Sequence, residues 1–371
     1  MQSDILNFTE GIVTDEGIER YEFHEYEATA GINVNKIGEI RINIELQDLF
    51  THPAESYLLF EGRLTKAAGT AYANTDLVAI TNNGLMYLFN EISYSLSNQP
   101  GQATTMLGLL KYPDDFAKAQ GLNQLWQKDT TATTVLADNS RFAVRQAYLI
   151  QKPTTKGTFS FIVPLKHIFG FCDDYEKIVY GMKHTLTLVR KADDDAIYRN
   201  ADAGAGKVNL SKISWFMPHI IPSDSERMQL YKTIESKILV PVSYRARQCD
   251  IITVPKSTTF SWRLSVKTNS EKPRYIIVAF QTGRDGSQEA NPSIFDHCDL
   301  KNMYIMMNQE RYPAVDYNLS FPNQQFSRAY LSAAMFSEKF YGMDELITQS
   351  NLTPSDFKDI FPLMVFDVSK Q

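Results

Sequence analysis

Glu39-Ile40-Arg41-Ile42-Asn43-Ile44-Glu45-Leu46-Gln47 decides the fold class: every even position is aliphatic and every odd one polar. Side chains alternate across a strand, so this segment buries one face and wets the other. The same period returns at Leu58/Phe60/Leu64, Ile92/Tyr94/Leu96, Phe159/Phe161/Val163/Leu165 and Leu186/Leu188. One-sided strands belong to antiparallel sheets. A doubly wound parallel sheet has strands that are apolar on both sides.

The texture changes near residue 200. Lys191 to Gly206 reads KADDDAIYRNADAGAG, acidic and then small and glycine-rich, which is the composition of an exposed connection. The alternation then restarts at Val208/Leu210 and Ile213/Trp215/Met217, and again at Val240/Val242/Tyr244 and Phe260/Trp262/Leu264/Val266. Arg274 to Gln281, RYIIVAFQ, is apolar on both faces and is expected to be deeply buried.

Helical signals are fewer. One helix is expected between Thr105 and Trp126, interrupted at Pro113. Ser223-Asp224-Ser225-Glu226 has the spacing of a capping box ahead of Met228, Tyr231, Ile234 and Ile238. Another helix is expected from Gln325 to Phe340, stopped by Gly342. A last one starts at Thr353, with Pro354 at the first helical position, where a missing N–H costs nothing. Pro362 ends it, and Leu363 to Val368 is the final strand.

The fold class expected is therefore mainly β. It comprises two tandem sandwiches with short inserted helices: an acidic N-terminal arm at residues 1–30, a first β unit at 31–200 and a second at 207–371.

The net charge of −6 is unevenly spread. Residues 1–30 hold eight acids against Arg20 alone, a sum of −7, which leaves +1 for residues 31–371. A nearly neutral body offers no electrostatic footprint for nucleic acid. Cys172, Cys249 and Cys298 are far apart and form no CxxC pair, so neither a zinc knuckle nor a disulfide framework is expected. The N-terminus does not have the pattern of a signal peptide, and no apolar run approaches the ~20 residues that span a bilayer.

Chemistry-bearing motifs are weak. The histidines at 24, 52, 167, 184, 219 and 297 are scattered, without HExxH or HxH. Asp296-His297-Cys298 gathers three reactive types, but sequence neighbours point in different directions, so no Cys–His dyad follows. Gly204-Ala205-Gly206-Lys207 fails the phosphate-loop pattern, with Ala201 for the first glycine and Val208 for the serine or threonine. Gly283 to Ser287 reads as a turn. Asp114/Asp115, Asp173/Asp174 and Asp193-Asp194-Asp195 lack the spaced ligands of a calcium loop and are expected to be solvated. No catalytic, cofactor-binding or metal-binding residue is assigned, and no enzyme activity is expected.

Three segments carry a resemblance. Val208-Asn209-Leu210-Ser211-Lys212-Ile213-Ser214-Trp215-Phe216-Met217-Pro218-His219-Ile220 resembles the opening of the second jelly roll in Polinton (Maverick) type major capsid proteins. Leu352-Thr353-Pro354-Ser355-Asp356-Phe357 with Phe361 to Val368 resembles that family's later strands, and Tyr57 to Leu64 resembles its first roll. The resemblance implies a double jelly roll, with three chains forming a pseudo-hexagonal capsomer, as in the adenovirus-type lineage, and capsomers tiling an icosahedral shell. It implies a virion location, assembly inside the host cell, and as partners copies of the chain, neighbouring capsomers and penton or minor capsid proteins. It implies no catalytic residue, no sequence-specific nucleic-acid contact and no membrane span. The family's chain continues beyond the strand matching Phe366-Asp367, whereas this sequence stops at Gln371. A second roll with an open edge is therefore expected.

Two other readings compete with the shell subunit. A minor capsid or vertex protein would need one roll rather than two. A cupin or glycan-binding jelly roll would need clustered histidines and a carboxylate on facing strands. Stoichiometric zinc, iron or manganese in purified protein would favour the cupin.

Overall fold

The structure is a computed structural model and describes residues 17–29, 32–45, 48–94, 100–264, 272–343 and 350–369. Its strands are β1 (Ile18–Glu27), β2 (Gly38–Ile44), β3 (Phe50–Thr51), β4 (Tyr57–Lys66), β5 (Val78–Ile80), β6 (Phe89–Ser93), β7 (Thr158–Pro164), β8 (Val179–Tyr180), β9 (His184–Arg190), β10 (Ile197–Arg199), β11 (Gly206–Pro222), β12 (Tyr275–Val278), β13 (Ile305–Met307), β14 (Glu310–Tyr312) and β15 (Met364–Asp367). The helices are α1 (Pro100–Lys111), α2 (Asp114–Lys118), α3 (Gln120–Asn123), α4 (Ser140–Ile150), α5 (Leu165–Ile168), α6 (Gly170–Asp174), α7 (Asp224–Glu235), α8 (Ser327–Ala334), α9 (Phe336–Tyr341) and α10 (Pro354–Asp359).

Two antiparallel sheets enclose the first core. One has the order β7-β4-β11-β3-β8, with β1 added on β11; the other is β2-β9-β6. The period-two residues explain the sandwich. Leu58 lies between Val163 and Trp215 on the neighbouring strands, and Phe60 between Phe161 and Ile213. On the second sheet Ile40 faces Leu188 and Ile42 faces Leu186. All of these meet in one buried cluster. Each large side chain buried there contributes about 1.5–3 kcal/mol. Leu46 and Leu96 lie outside the described residues.

A second core joins Leu109, Leu110 and Trp126, around the first helices, to Phe295, Phe321, Phe326, Phe336, Phe357, Phe361 and Phe366. Its strands are short among the described residues: β12 pairs with β15, and β13 with β14. Gly342 closes α9 in the left-handed conformation, φ 67°, as expected of a helix stop. Thr353 caps α10 with a full capping box: its hydroxyl accepts from Asp356 N at 3.1 Å, and the Asp356 carboxylate accepts from Thr353 N at 3.3 Å. Thr353→Ala is expected to cost about 1 kcal/mol, read as a lower urea midpoint with unchanged slope.

The structure corrects several sequence expectations. The strand read as opening the second unit, β11, is the central strand of the first sheet, because its inward residues Val208, Ile213, Trp215 and Met217 fill the first core. The boundary at residue 207 therefore falls inside the first sandwich, while Leu109, Leu110, Ala117 and Trp126 pack with the second core. Residues 240–244 and 260–264 form no strand, since no described strand is hydrogen-bonded alongside them; Val266 lies outside the described residues. The RYIIVAFQ segment is only half-buried, and among the described residues β12 has one ladder partner, β15. The expected capping box at Ser223 is not made: its hydroxyl lies 3.2 Å from that of Ser225. Helix α4 had no clear signal in the sequence, although Asn139 caps it by accepting from Phe142 N. The N-terminal arm is partly ordered onto the sandwich as β1, and residues 1–16 lie outside the described residues.

Candidate assembly surface

Helix α7 leaves the end of β11 and carries no buried residue; Met228 and Ile234 on its apolar stripe are exposed. The chain continues as a ribbon without regular secondary structure over residues 238–264, with Leu239 93% exposed and Ile238, Val240, Val242, Ile251 and Phe260 open to solvent. So many exposed apolar side chains along one stretch of chain are what a contact surface presents.

The ribbon is anchored near its middle. Arg245 N donates to Asp174 Oδ2 at 2.6 Å, its guanidinium forks onto the same carboxylate, and it lies over the rings of Phe340 and Tyr341 at 4.4 and 4.9 Å. Arg247 reaches Asp173 at 2.8 Å and the His167 carbonyl at 3.1 Å, and Lys111 reaches Asp173 at 3.1 Å. Burial opposes the Asp174 charge, but the Arg245 hydrogen bonds outweigh it and hold the carboxyl below its usual range. Gly170 makes the seat possible, because a Cβ there would collide with the Arg245 carbonyl. Asp173/Asp174, expected in a solvated loop, is thus a structural anchor.

The other acidic runs are also engaged. Asp193 receives Arg190 and, at 2.9 Å, Val208 N; Asp194 receives Gln288 Nε2 at 3.0 Å; Asp195 receives Lys191 and Gly286 N. They stitch the connection before β11 to the Gly283–Ser287 turn. Asp114 pairs with Lys118 and Arg141, while Asp115 is exposed.

Asp296, His297 and Cys298 take three different partners. Asp296 receives Arg284 at 2.7 Å, His297 stacks on Phe321 at 4.5 Å, and the Cys298 thiol lies 3.8 Å from the Thr282 hydroxyl. His167 is half-buried beside Gln124, at 2.7 Å; desolvation first, then Lys111, Lys166 and Arg247, pushes its imidazole down to about 3. It lines a shallow cleft with Tyr112 and Trp126.

What sequence reading missed is the convergence of four histidines at the β1 edge. His24 stacks on His219 with ring centroids 4.0 Å apart, His219 Nε2 lies 2.9 Å from the Tyr26 hydroxyl, and His52 Nδ1 lies 3.2 Å from the Tyr21 hydroxyl. His184 sits behind them, 2.9 Å from Thr51 Oγ1 and 2.7 Å from the Tyr94 hydroxyl. The signal was present in part: period two puts His184 on the face of Leu186 and Leu188, and His219 on that of Trp215 and Met217.

No helix of the described residues is long and apolar enough to cross a membrane. No curated protein matches the chain. A family model described as "Double jelly roll-like domain" matches residues 78–371. Among solved structures, the Sputnik virophage structure is similar at 9% identity and TM-score 0.40, over 59% of this chain and 51% of that one. The mavirus major capsid protein is similar at 13% and 0.38, over 59% and 50%, and the Faustovirus major capsid protein at 11% and 0.32, over 63% and 60%. The chain spans about half the length of the two virophage chains; likeness at this level carries no argument of its own.

Proposed function

The chain belongs to the double jelly-roll-like domain family, and on that premise we propose that it is a major capsid protein. It is a structural subunit that trimerises into pseudo-hexagonal capsomers tiling an icosahedral shell. In this reading the two cores are two tandem rolls, the partners are copies of the chain, neighbouring capsomers and penton or minor capsid proteins, and the location is the virion capsid, assembled inside the host cell. Catalysis, cofactors and metals have no part in it.

The observation that carries the reading is the exposed apolar surface of α7 and the ribbon. An isolated subunit leaves it in water, and an obligate interface, on the order of 2,000–5,000 Å², covers such a surface. The ion pairs of Arg245 and Arg247 support this use, since they hold the ribbon in one place before any partner arrives.

Light scattering at micromolar concentration is expected to give a trimer mass, and electron microscopy threefold particles or shells. A clean monomer under non-dissociating conditions would overturn the proposal.

A further inference from the structure

Strand β1 is held weakly for its length. Nearly all of its residues are exposed, and among the described residues its one strand partner is β11. Segments with few buried apolar contacts open first. Its inward face carries Glu22, His24 and Tyr26, set against His219, Met217 and Trp215 of β11.

We propose that residues 18–24 form an acid-released latch: protonation of the stacked His24–His219 pair detaches this half of β1 from the edge of β11. The rings lie face to face at 4.0 Å with an interplanar angle of 13°, so two charged imidazoliums there repel. The surroundings offer little relief. His184 stands behind His219 from β9, held by Thr51 and by Tyr94. His52 and Glu55 both engage Tyr21. Glu22 is 3.6 Å from His24, pairs with Arg20 at 3.7 Å, and is the acid facing the stack. At the other end of β1, Lys212 holds Glu25 at 2.6 Å and Glu27 at 3.2 Å, a clamp that persists while the carboxylates are charged.

Burial first, then His24 and His184, pushes the His219 imidazole from 6.5 down to about 4, against a raising effect of Glu22. An imidazole that is harder to protonate when docked takes up a proton on undocking. Its contribution to docking is therefore complete above about 6.5 and is lost as pH falls from there toward about 4. His219 is only 6% exposed, and the expected loss at about pH 5 is about tenfold.

Hydrogen exchange on the full chain tests this, with rates corrected for the intrinsic pH dependence. Protection of the 18–24 amides is expected to fall about tenfold between about pH 7.5 and about pH 5, while 25–27 and the β4–β7 ladder stay protected. His24→Gln/His219→Gln is expected to abolish the change. If that variant fails to fold, shown by loss of β4–β7 protection, His24→Gln alone decides, since its side chain lies on the surface and its removal is expected to shrink the change. Protection of 18–24 that is independent of pH, or an undiminished change in the variants, overturns the latch.

Discussion

Arg145→Met is expected to destabilise the protein by about 3–5 kcal/mol, because it strands a charge in the interior. Arg145 and Asp129 are both fully buried, with the guanidinium 2.6 Å from the carboxylate. Its Nε donates to the Ile80 carbonyl at 3.0 Å and its Nη1 to that of Gln127. Asp129 also accepts from Asn139 at 3.0 Å and from Asn291 at 2.6 Å. The network thus ties α4, the loop before it and residue 291, next to the second core, to one buried carboxylate.

Methionine fills the volume but supplies none of the donors. Asp129 loses its main counterion, and two buried carbonyls lose their partners. Arg145→Lys does not rescue, since one ammonium cannot fork to three acceptors. Adding Asp129→Leu to Arg145→Met recovers part of the loss by removing the stranded charge. The recovery stays incomplete because the buried Asn291 amide then loses its acceptor, whereas Asn139 keeps the Thr133 carbonyl at 2.9 Å. Urea unfolding followed by tryptophan fluorescence measures all three. A single variant within 1 kcal/mol of the parent chain would mean that water reaches the site and that the network is dispensable.

The sequence made the first sandwich legible because its strands are one-sided. Alternation at Ile40/Ile42/Ile44, Phe159/Phe161 and Leu186/Leu188 reports which face is buried, and those residues do meet in one core. It could not say which strands pair. Pairing is non-local, so β11 read as the start of a new unit while it lies between β4 and β1. The ribbon shows the converse limit. Val240/Val242/Tyr244 alternate as a strand does, but a ladder needs a neighbour, and none of the described strands lies beside them. Arg145 was missed for another reason: an arginine reads as surface by default, and only the three-dimensional meeting of Asp129, Asn139 and Asn291 makes its burial tolerable. The histidine cluster lay between these cases, its inward faces readable but its assembly from four distant segments not.

If the ribbon is the capsomer contact, aspartate on it must separate assembly from folding. Leu239→Asp/Val242→Asp is expected to weaken trimer formation by at least 100-fold while changing monomer stability by less than about 1 kcal/mol. In the free chain both side chains are exposed, 93% and 52%, so charging them desolvates nothing on folding. In an interface, each buried carboxylate without a partner costs at least about 2 kcal/mol, and the two lie close enough to be covered together. The anchor sharpens the contrast. Arg245 and Arg247 keep the ribbon seated on Asp174 and Asp173 in the variant, so a lost trimer cannot be ascribed to a displaced ribbon. Ile37→Asp is the control: its side chain is 72% exposed on the turn before β2, outside the ribbon, and the trimer is expected to survive there. Sedimentation equilibrium gives the association constants, and urea unfolding of the dilute monomer gives the stabilities. A double variant that still forms trimers with parental affinity would remove the ribbon from the interface. Equal loss in the Ile37 variant would show that added charge, wherever it falls, is what dissociates the assembly.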